Sequence, residues 1–233
     1  MTANQIRVDI VSDVMCPWCI IGFKELEAAA RKTGLALGLR WHPFELNPDM
    51  PAEGQDLTEH ITGKYGITRA QSAQNRAVLQ ERGHALGIDF AFGPDARMRN
   101  SFRAHQLVDW AETQGAQHRM KLALFAAHFS AGLDVNDIGV LAELAETIGL
   151  DRAAAQTALE TGAHAEPVRR KQAFWQQQSV TGVPAMVFGQ RYLYTGAQGV
   201  AELALKAMVE VMAPKDLVCV LGEVMGEVGY QNG

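Results

Sequence analysis

The chain has 233 residues and a mass of 25.4 kDa, room for one large domain or two small ones. Hydrophobic residues make up 48%, and 22 glycines and 8 prolines are ordinary numbers, which excludes collagen-like and disordered classes. A net charge of −5 and a pI near 5.8 exclude a basic nucleic-acid binder, and no apolar run approaches the roughly 18–20 residues of a membrane span.

The N-terminal stretch MTANQIRVDIVSD lacks a basic region followed by an apolar one, so no signal peptide and a cytoplasmic location are expected. Residues 7–12 (RVDIVS) are branched and partly alternating, which predicts a strand ended by Ser12 and Asp13. From Cys16 the period changes. Ile20, Phe23, Leu26 and Ala30 recur at helical spacing, predicting a helix over residues 16–32 that Gly34 stops. Residues 35–44 again read as extended, with Leu37, Leu39 and Trp41 on one face. A turn-rich connector follows at 47–56.

From there to about Ser179 only helical patterns occur, over residues 57–65, 69–86, 99–113, 117–130, 138–148, 152–160 and 165–179. Glycines punctuate them, and Asp137 and Asp151 are expected N-caps. The strand signal then returns in residues 185–188 and 191–194, joined by a Gly189–Gln190 turn, as a hairpin. A last amphipathic helix is expected over 199–212. The order is β-α-β, a long helical insert, then α-β-β-α. The fold class is therefore α/β: a thioredoxin-like fold with a large all-α insertion domain. The expected division is 1–50 and 180–233 for the thioredoxin-like part and 51–179 for the insert.

Three cysteines are too few for a disulfide scaffold, but two of them form Cys16-Pro17-Trp18-Cys19. A dithiol catalyst needs one attacking thiolate and a second thiol that resolves the mixed disulfide. Two intervening residues at a helix start bring the sulfurs within bonding reach. They also leave the first at the helix N-terminus, where unpaired N–H groups favour negative charge. Cys16 is the expected nucleophile and Cys19 the resolving thiol. Pro17 suits the first turn because its missing N–H would be unpaired there anyway. Half of a zinc site is the competing reading, but zinc needs four ligands. Cys219 is alone, and the seven histidines show no paired spacing, so no metal is expected. Cys219 itself, in LVCVL, reads as a buried inert cysteine.

Thr181-Gly182-Val183-Pro184 precedes the third strand; on the residues alone Pro184 reads as a trans-proline opening that strand, and only the thioredoxin-like context, which sets a cis-proline opposite the dithiol, favours the cis form. There the backbone of Val183 is free to pair with an extended substrate. Pro17, Trp18 and Val183 are accordingly the candidate substrate-binding residues. Asp13 either caps the helix or bonds the loop, or assists proton transfer as Cys19 deprotonates. His105 lies on an insert helix and is expected to be structural, with the cleft as its alternative. His42 is expected to be a surface or satisfied histidine.

Asp13–Cys19 (DVMCPWC), Trp41–Gly54 (WHPFELNPDMPAEG), Arg99–Leu107 (RNSFRAHQL) and Thr181–Phe188 (TGVPAMVF) together resemble the FrnE-like branch of the DsbA family. The resemblance extends over most of the chain to about Met212. It implies thiol–disulfide oxidoreductase or isomerase activity, with Cys16 as nucleophile, Cys19 as resolving thiol and Pro184 as the cis-proline. Its sister branches, 2-hydroxychromene-2-carboxylate isomerases and kappa-class glutathione transferases, typically carry serine where Cys16 stands, and two cysteines favour redox chemistry. The alternatives are a glutathione-dependent isomerase or transferase, with glutathione as co-substrate, and a peptide-binding chaperone. No other cofactor is expected. The implied partners are disulfide-containing proteins or small molecules and a redox partner that recycles the dithiol, with no nucleic acid or membrane. A homodimer is permitted by the apolar C-terminal segment 217–221.

Overall fold

The computed structural model describes residues 5–211; Cys219 and the segment 217–221 lie outside the described residues. Strand β1 (Gln5–Ser12) runs parallel to β2 (Ala36–Pro43), with Val8 opposite Leu39 and Ile10 opposite Trp41. Strand β5 (Ala185–Phe188) lies antiparallel on the other side of β1, and β6 (Tyr192–Thr195) closes the order β2-β1-β5-β6. Helix α1 (Pro17–Thr33) supplies the crossover from β1 to β2. It ends where Gly34, at φ 67°, takes the left-handed conformation that glycine adopts without a Cβ penalty.

The strand period of two sorts the core. Val8, Ile10, Trp41 and Met186 belong to one cluster with Phe23, Ile21 and Leu26 of α1. Val11 and Ala185 join Phe44 and Val180 in a second, against Trp175 of α8 (Ala165–Gln177). Gly22 shows how closely α1 seats. A Cβ there would meet Met186 Cε at 3.2 Å and Pro184 Cγ at 3.3 Å. Helix α9 (Val200–Val211) packs beside α1.

Between β2 and β5 stand α2 (Leu57–Tyr65), α3 (Arg69–Ala85), α4 (Phe102–Thr113), α5 (Gln117–Phe125), α6 (Ile138–Thr147), α7 (Arg152–Glu160) and α8. Asp137 and Asp151 cap α6 and α7, accepting Val140 N–H at 2.9 Å and Ala154 N–H at 2.7 Å. Three expectations need correction. Residues 55–56 (β3) and 97–98 (β4) pair as a short antiparallel ribbon inside the stretch expected to be all helical. Two residues a strand are too few to show a period. Helix α4 begins at Phe102 rather than 99, because Asn100 ties the chain down first, donating to Met50 O at 2.7 Å and accepting Phe102 N–H at 2.9 Å. The helix expected over 117–130 changes at Ala126 into a π-helical turn, Ala126–Ser130.

Candidate active site

The dithiol sits where β1 ends and α1 begins. Cys16 is the N-cap residue of α1 and has no side-chain capping bond, and Pro17 occupies the first turn. Cys19 N–H donates to Cys16 O at 3.0 Å, the turn that brings the two side chains together. Both thiols are free. Cys19 is fully buried and Cys16 is only 3% exposed, yet Cys16 lines a cleft of about 710 Å³. The Cys16 thiol donates to the carbonyl of Val183 at 3.6 Å, and the Val183–Pro184 peptide bond is cis. Trp18 and Val183 line the same cleft. Both are half-buried.

Behind the sulfurs lies a buried polar layer. Asp13 does not cap α1. Its Oδ1 accepts Met15 N–H at 3.1 Å and its Oδ2 accepts Leu46 N–H at 2.7 Å, pinning the loop after β1 to the chain after β2. His105, on α4, is buried behind the dithiol rather than in the cleft, with Nε2 3.5 Å from Asp13 Oδ1. Burial alone would raise the Asp13 carboxyl. The bond and charge of His105 and the two amides outweigh it and hold the carboxyl below the usual carboxylate value. His42 is satisfied by Asp9, Nε2 to Oδ1 at 2.8 Å, beneath the Trp175 ring.

Sequence reasoning misses Lys121. It is 1% exposed, with Nζ 4.9 Å from the Phe125 ring centre and 5.5 Å from that of Trp41. Burial brings its amine down to about 8, against the opposing pull of Cys19, Asp13 and Cys16. Burial pushes the Cys19 thiol well above its ordinary value, reinforced by the bond and charge of Cys16, while Lys121 pulls the other way. The resolving cysteine thus holds its proton unless the neighbouring cation helps release it. A signal for Lys121 exists. It lies at i, i+4 to Phe125 on the face of α5 that also buries Met120 and Leu124. Also unforeseen are Tyr65, which lines the cleft, and His128 on the π-helical turn. Burial lowers His128 to about 4, so the cleft meets a neutral imidazole.

A four-stranded sheet with a Cys-x-x-Cys pair at the start of its first crossover helix, facing a cis X-Pro bond across a helical insertion, defines a thioredoxin-fold protein. The chain belongs to the family of the DSBA-like thioredoxin domain, whose model matches residues 7–207. It is 26% identical over 196 residues to the uncharacterized protein YwbO of Bacillus subtilis, covering 83% of this chain and 92% of that one. Among solved structures it resembles a probable DsbA oxidoreductase, SCO1869, from Streptomyces coelicolor. The TM-score is 0.75 at 26% identity, over 98% of this chain and 93% of that one. A 2-hydroxychromene-2-carboxylate isomerase shares the fold at TM-score 0.62 and 21% identity, over 95% of each chain. Among the described residues no helix is long and apolar enough to cross a membrane.

Proposed function

We propose that the protein is a FrnE-like thiol–disulfide oxidoreductase or isomerase in which Cys16 attacks and Cys19 resolves. The observation that supports this reading is the pair of free thiols at the start of α1, one reaching the cleft and touching Val183 O, the other sealed behind it. The Cys16 thiolate attacks one sulfur of a substrate disulfide. The S–S bond breaks, one thiolate leaves, and a Cys16–substrate disulfide forms. Cys19 gives up its proton, attacks Cys16 Sγ and expels the second thiolate. Two electrons pass from the dithiol to the substrate, leaving a Cys16–Cys19 disulfide that an external thiol must reduce for another turn. In isomerisation a different thiolate of the client attacks the client sulfur of the mixed disulfide instead; the S–S bond to Cys16 breaks, Cys16 leaves as the thiolate, the client's pairing has changed and no net electrons move. Val183, Trp18 and Pro17 form the substrate-facing wall, with Pro184 behind Val183.

A redox titration with glutathione tests this, following tryptophan fluorescence. A reversible transition that vanishes in Cys16→Ser and in Cys19→Ser is expected, and its midpoint sets the direction of the reaction. Thiols that stay free at every ratio would overturn the reading. Saturable glutathione binding and turnover that survive Cys19→Ala would assign the site to glutathione-dependent isomerisation or transfer instead.

A further inference from the structure

The cleft before Cys16 has the volume of a small-molecule site, within the roughly 300–1,000 Å³ that such pockets occupy. Its walls come from α1, α2, α3, the loop leading to β4 and the π-helical turn, and much of the lining is apolar. Tyr65 and Leu133, two of the few large hydrophobic side chains left exposed in the described structure, both border it. Its charge is opposite to that of the chain. Four cationic side chains, Lys64, Arg76, Arg97 and Arg99, face a single lining carboxylate, Asp95, in a protein of net charge −5.

The partners of these cations are informative. Arg99 is neutralised, with Nη1 2.8 Å from Asp134 Oδ2. The other three rest on uncharged groups. Lys64 Nζ donates to Leu46 O at 2.9 Å and Asn47 Oδ1 at 2.6 Å. Arg76 Nη1 donates to Thr58 Oγ1 at 2.8 Å, and Arg97 Nη2 to Glu53 O and Gly54 O at 3.2 Å each. Among the described residues none of the three meets a carboxylate. They stand on α2, α3 and β4, so the tertiary fold gathers them from separate elements. Several cations outside the cleft find acids, as Arg82 finds Glu25 and Lys171 finds Asp109 and Glu112, while Arg103 and Arg119 also rest on backbone carbonyls; what sets the cleft apart is that three such cations line one cavity. Neutral partners hold a guanidinium in place and leave its charge available to an incoming anion.

We propose that this cleft binds low-molecular-weight disulfides and thiols that carry a carboxylate on an apolar body, the carboxylate meeting Lys64, Arg76 or Arg97 while the sulfur meets Cys16. The proposal rests on the dithiol reading and names its substrate class. The apolar walls hold the body beside Trp18 and Tyr65, and the cations draw the anion into a concave, partly desolvated site where their attraction is screened less than on an open surface.

Single-turnover kinetics test it. The protein is reduced with dithiothreitol, freed of reductant, and mixed with one of two aromatic disulfides. One is dithiobis(nitrobenzoate), which bears a carboxylate on each ring; the other is dithiodipyridine, which is neutral. Each rate is divided by that of free dithiothreitol with the same probe, which removes intrinsic reactivity. The wild type should favour the anionic probe by about tenfold or more, the enrichment a charged cleft provides. The double variant Arg76→Gln, Arg97→Gln should lose that preference while its rate with dithiodipyridine stays within about twofold. Arg76→Lys with Arg97→Lys should retain most of the preference, and Lys24→Gln, a cation outside the cleft, should leave it unchanged. No preference in the wild type, or an equal fall with both probes in the Gln variant, would overturn the proposal. Failure of both probes to oxidise the dithiol at all would overturn the oxidoreductase reading, and this proposal with it.

Discussion

The residue that departs furthest from ordinary behaviour is Lys121, an ammonium with its stem in the aromatic core and its charge held toward two sulfurs and Asp13. Such a charge costs stability, because burial removes its hydration and only part of the loss is returned by the neighbouring acids. Its amine titrates near 8 in the fold and near 10.5 in the open chain. Between those values the unfolded chain binds a proton that the native state has lost, so stability rises with pH there; below 8 the full penalty applies. Lys121→Met is therefore expected to stabilise the reduced protein at pH 7 by roughly 3 kcal/mol, an order-of-magnitude figure. It should also remove the rise in stability above pH 8. Urea unfolding across pH reads both. The same variant should slow the closing of the Cys16–Cys19 disulfide at neutral pH, since Cys19 loses the cation that favours its thiolate.

Among the elements, α2 and α3 stand apart. Helix α2 buries none of its residues fully and α3 only Ser72 and Gly83; both are held by partly buried side chains, Leu57, Ile61 and Leu79, packed against the core, together with polar ties. A capping box at Thr68 and Gln71 starts α3, and Asp56 caps α2 through Glu59 N–H at 2.8 Å. Gly83 is the one tight point, since a Cβ there would lie 2.4 Å from Phe90 Cε2 and 3.1 Å from Ile88 O. Gly83→Ala should cost about 1–3 kcal/mol, the ring having to leave its stack on Phe92. Gly63, on α2, has nothing within 4 Å of the same position. Gly63→Ala should stabilise by about 0.5–1 kcal/mol through helix propensity alone. Paired thermal melts check the contrast in sign.

At the scale of the whole molecule, the helical insertion is fastened to the sheet by a few buried acids. Glu25 of α1, 3% exposed, takes Arg82 Nε of α3 at 3.0 Å and the Gly199 N–H before α9 at 2.9 Å. Arg82 in turn lies 5.3 Å from the Trp18 ring centre, so the tie runs beside the dithiol. Glu45 binds Arg169 and Gln172 of α8, and the Trp41 N–H and carbonyl are held by Gln117 at 2.9 Å each. Arg82→Ala would leave Glu25 buried with one amide as partner, and is expected to cost about 2–3 kcal/mol. Adding Glu25→Gln should recover part of that loss, giving a double-mutant coupling of about 1 kcal/mol or more by urea denaturation. Independent effects would mean that the pair does not fasten α3.

What the sequence determined by itself is what depends on neighbours along the chain. The change from a period of two to 3.6 at Cys16 places the dithiol at a helix start. Asp137 and Asp151 announce their caps, the hairpin shows in its Gly189–Gln190 turn, and Pro184 stands before a strand. Each is a local preference that the fold had no reason to overrule. Four features belong to contacts across the chain, and only the tertiary structure decided them. The β3–β4 ribbon exists because Gln55 meets Met98 and Asp56 meets Arg97, far apart along the chain, with no period in either strand. Asp13 bonds Leu46 rather than its own helix because β2 brings that amide to it. Lys121 keeps its charge against the dithiol because α5 packs its apolar face on Trp41. Nothing in the sequence singles out Lys64, Arg76 and Arg97. The closing of α2, α3 and β4 over one cavity, on partners that leave their charge unspent, is what turns them toward a single cleft.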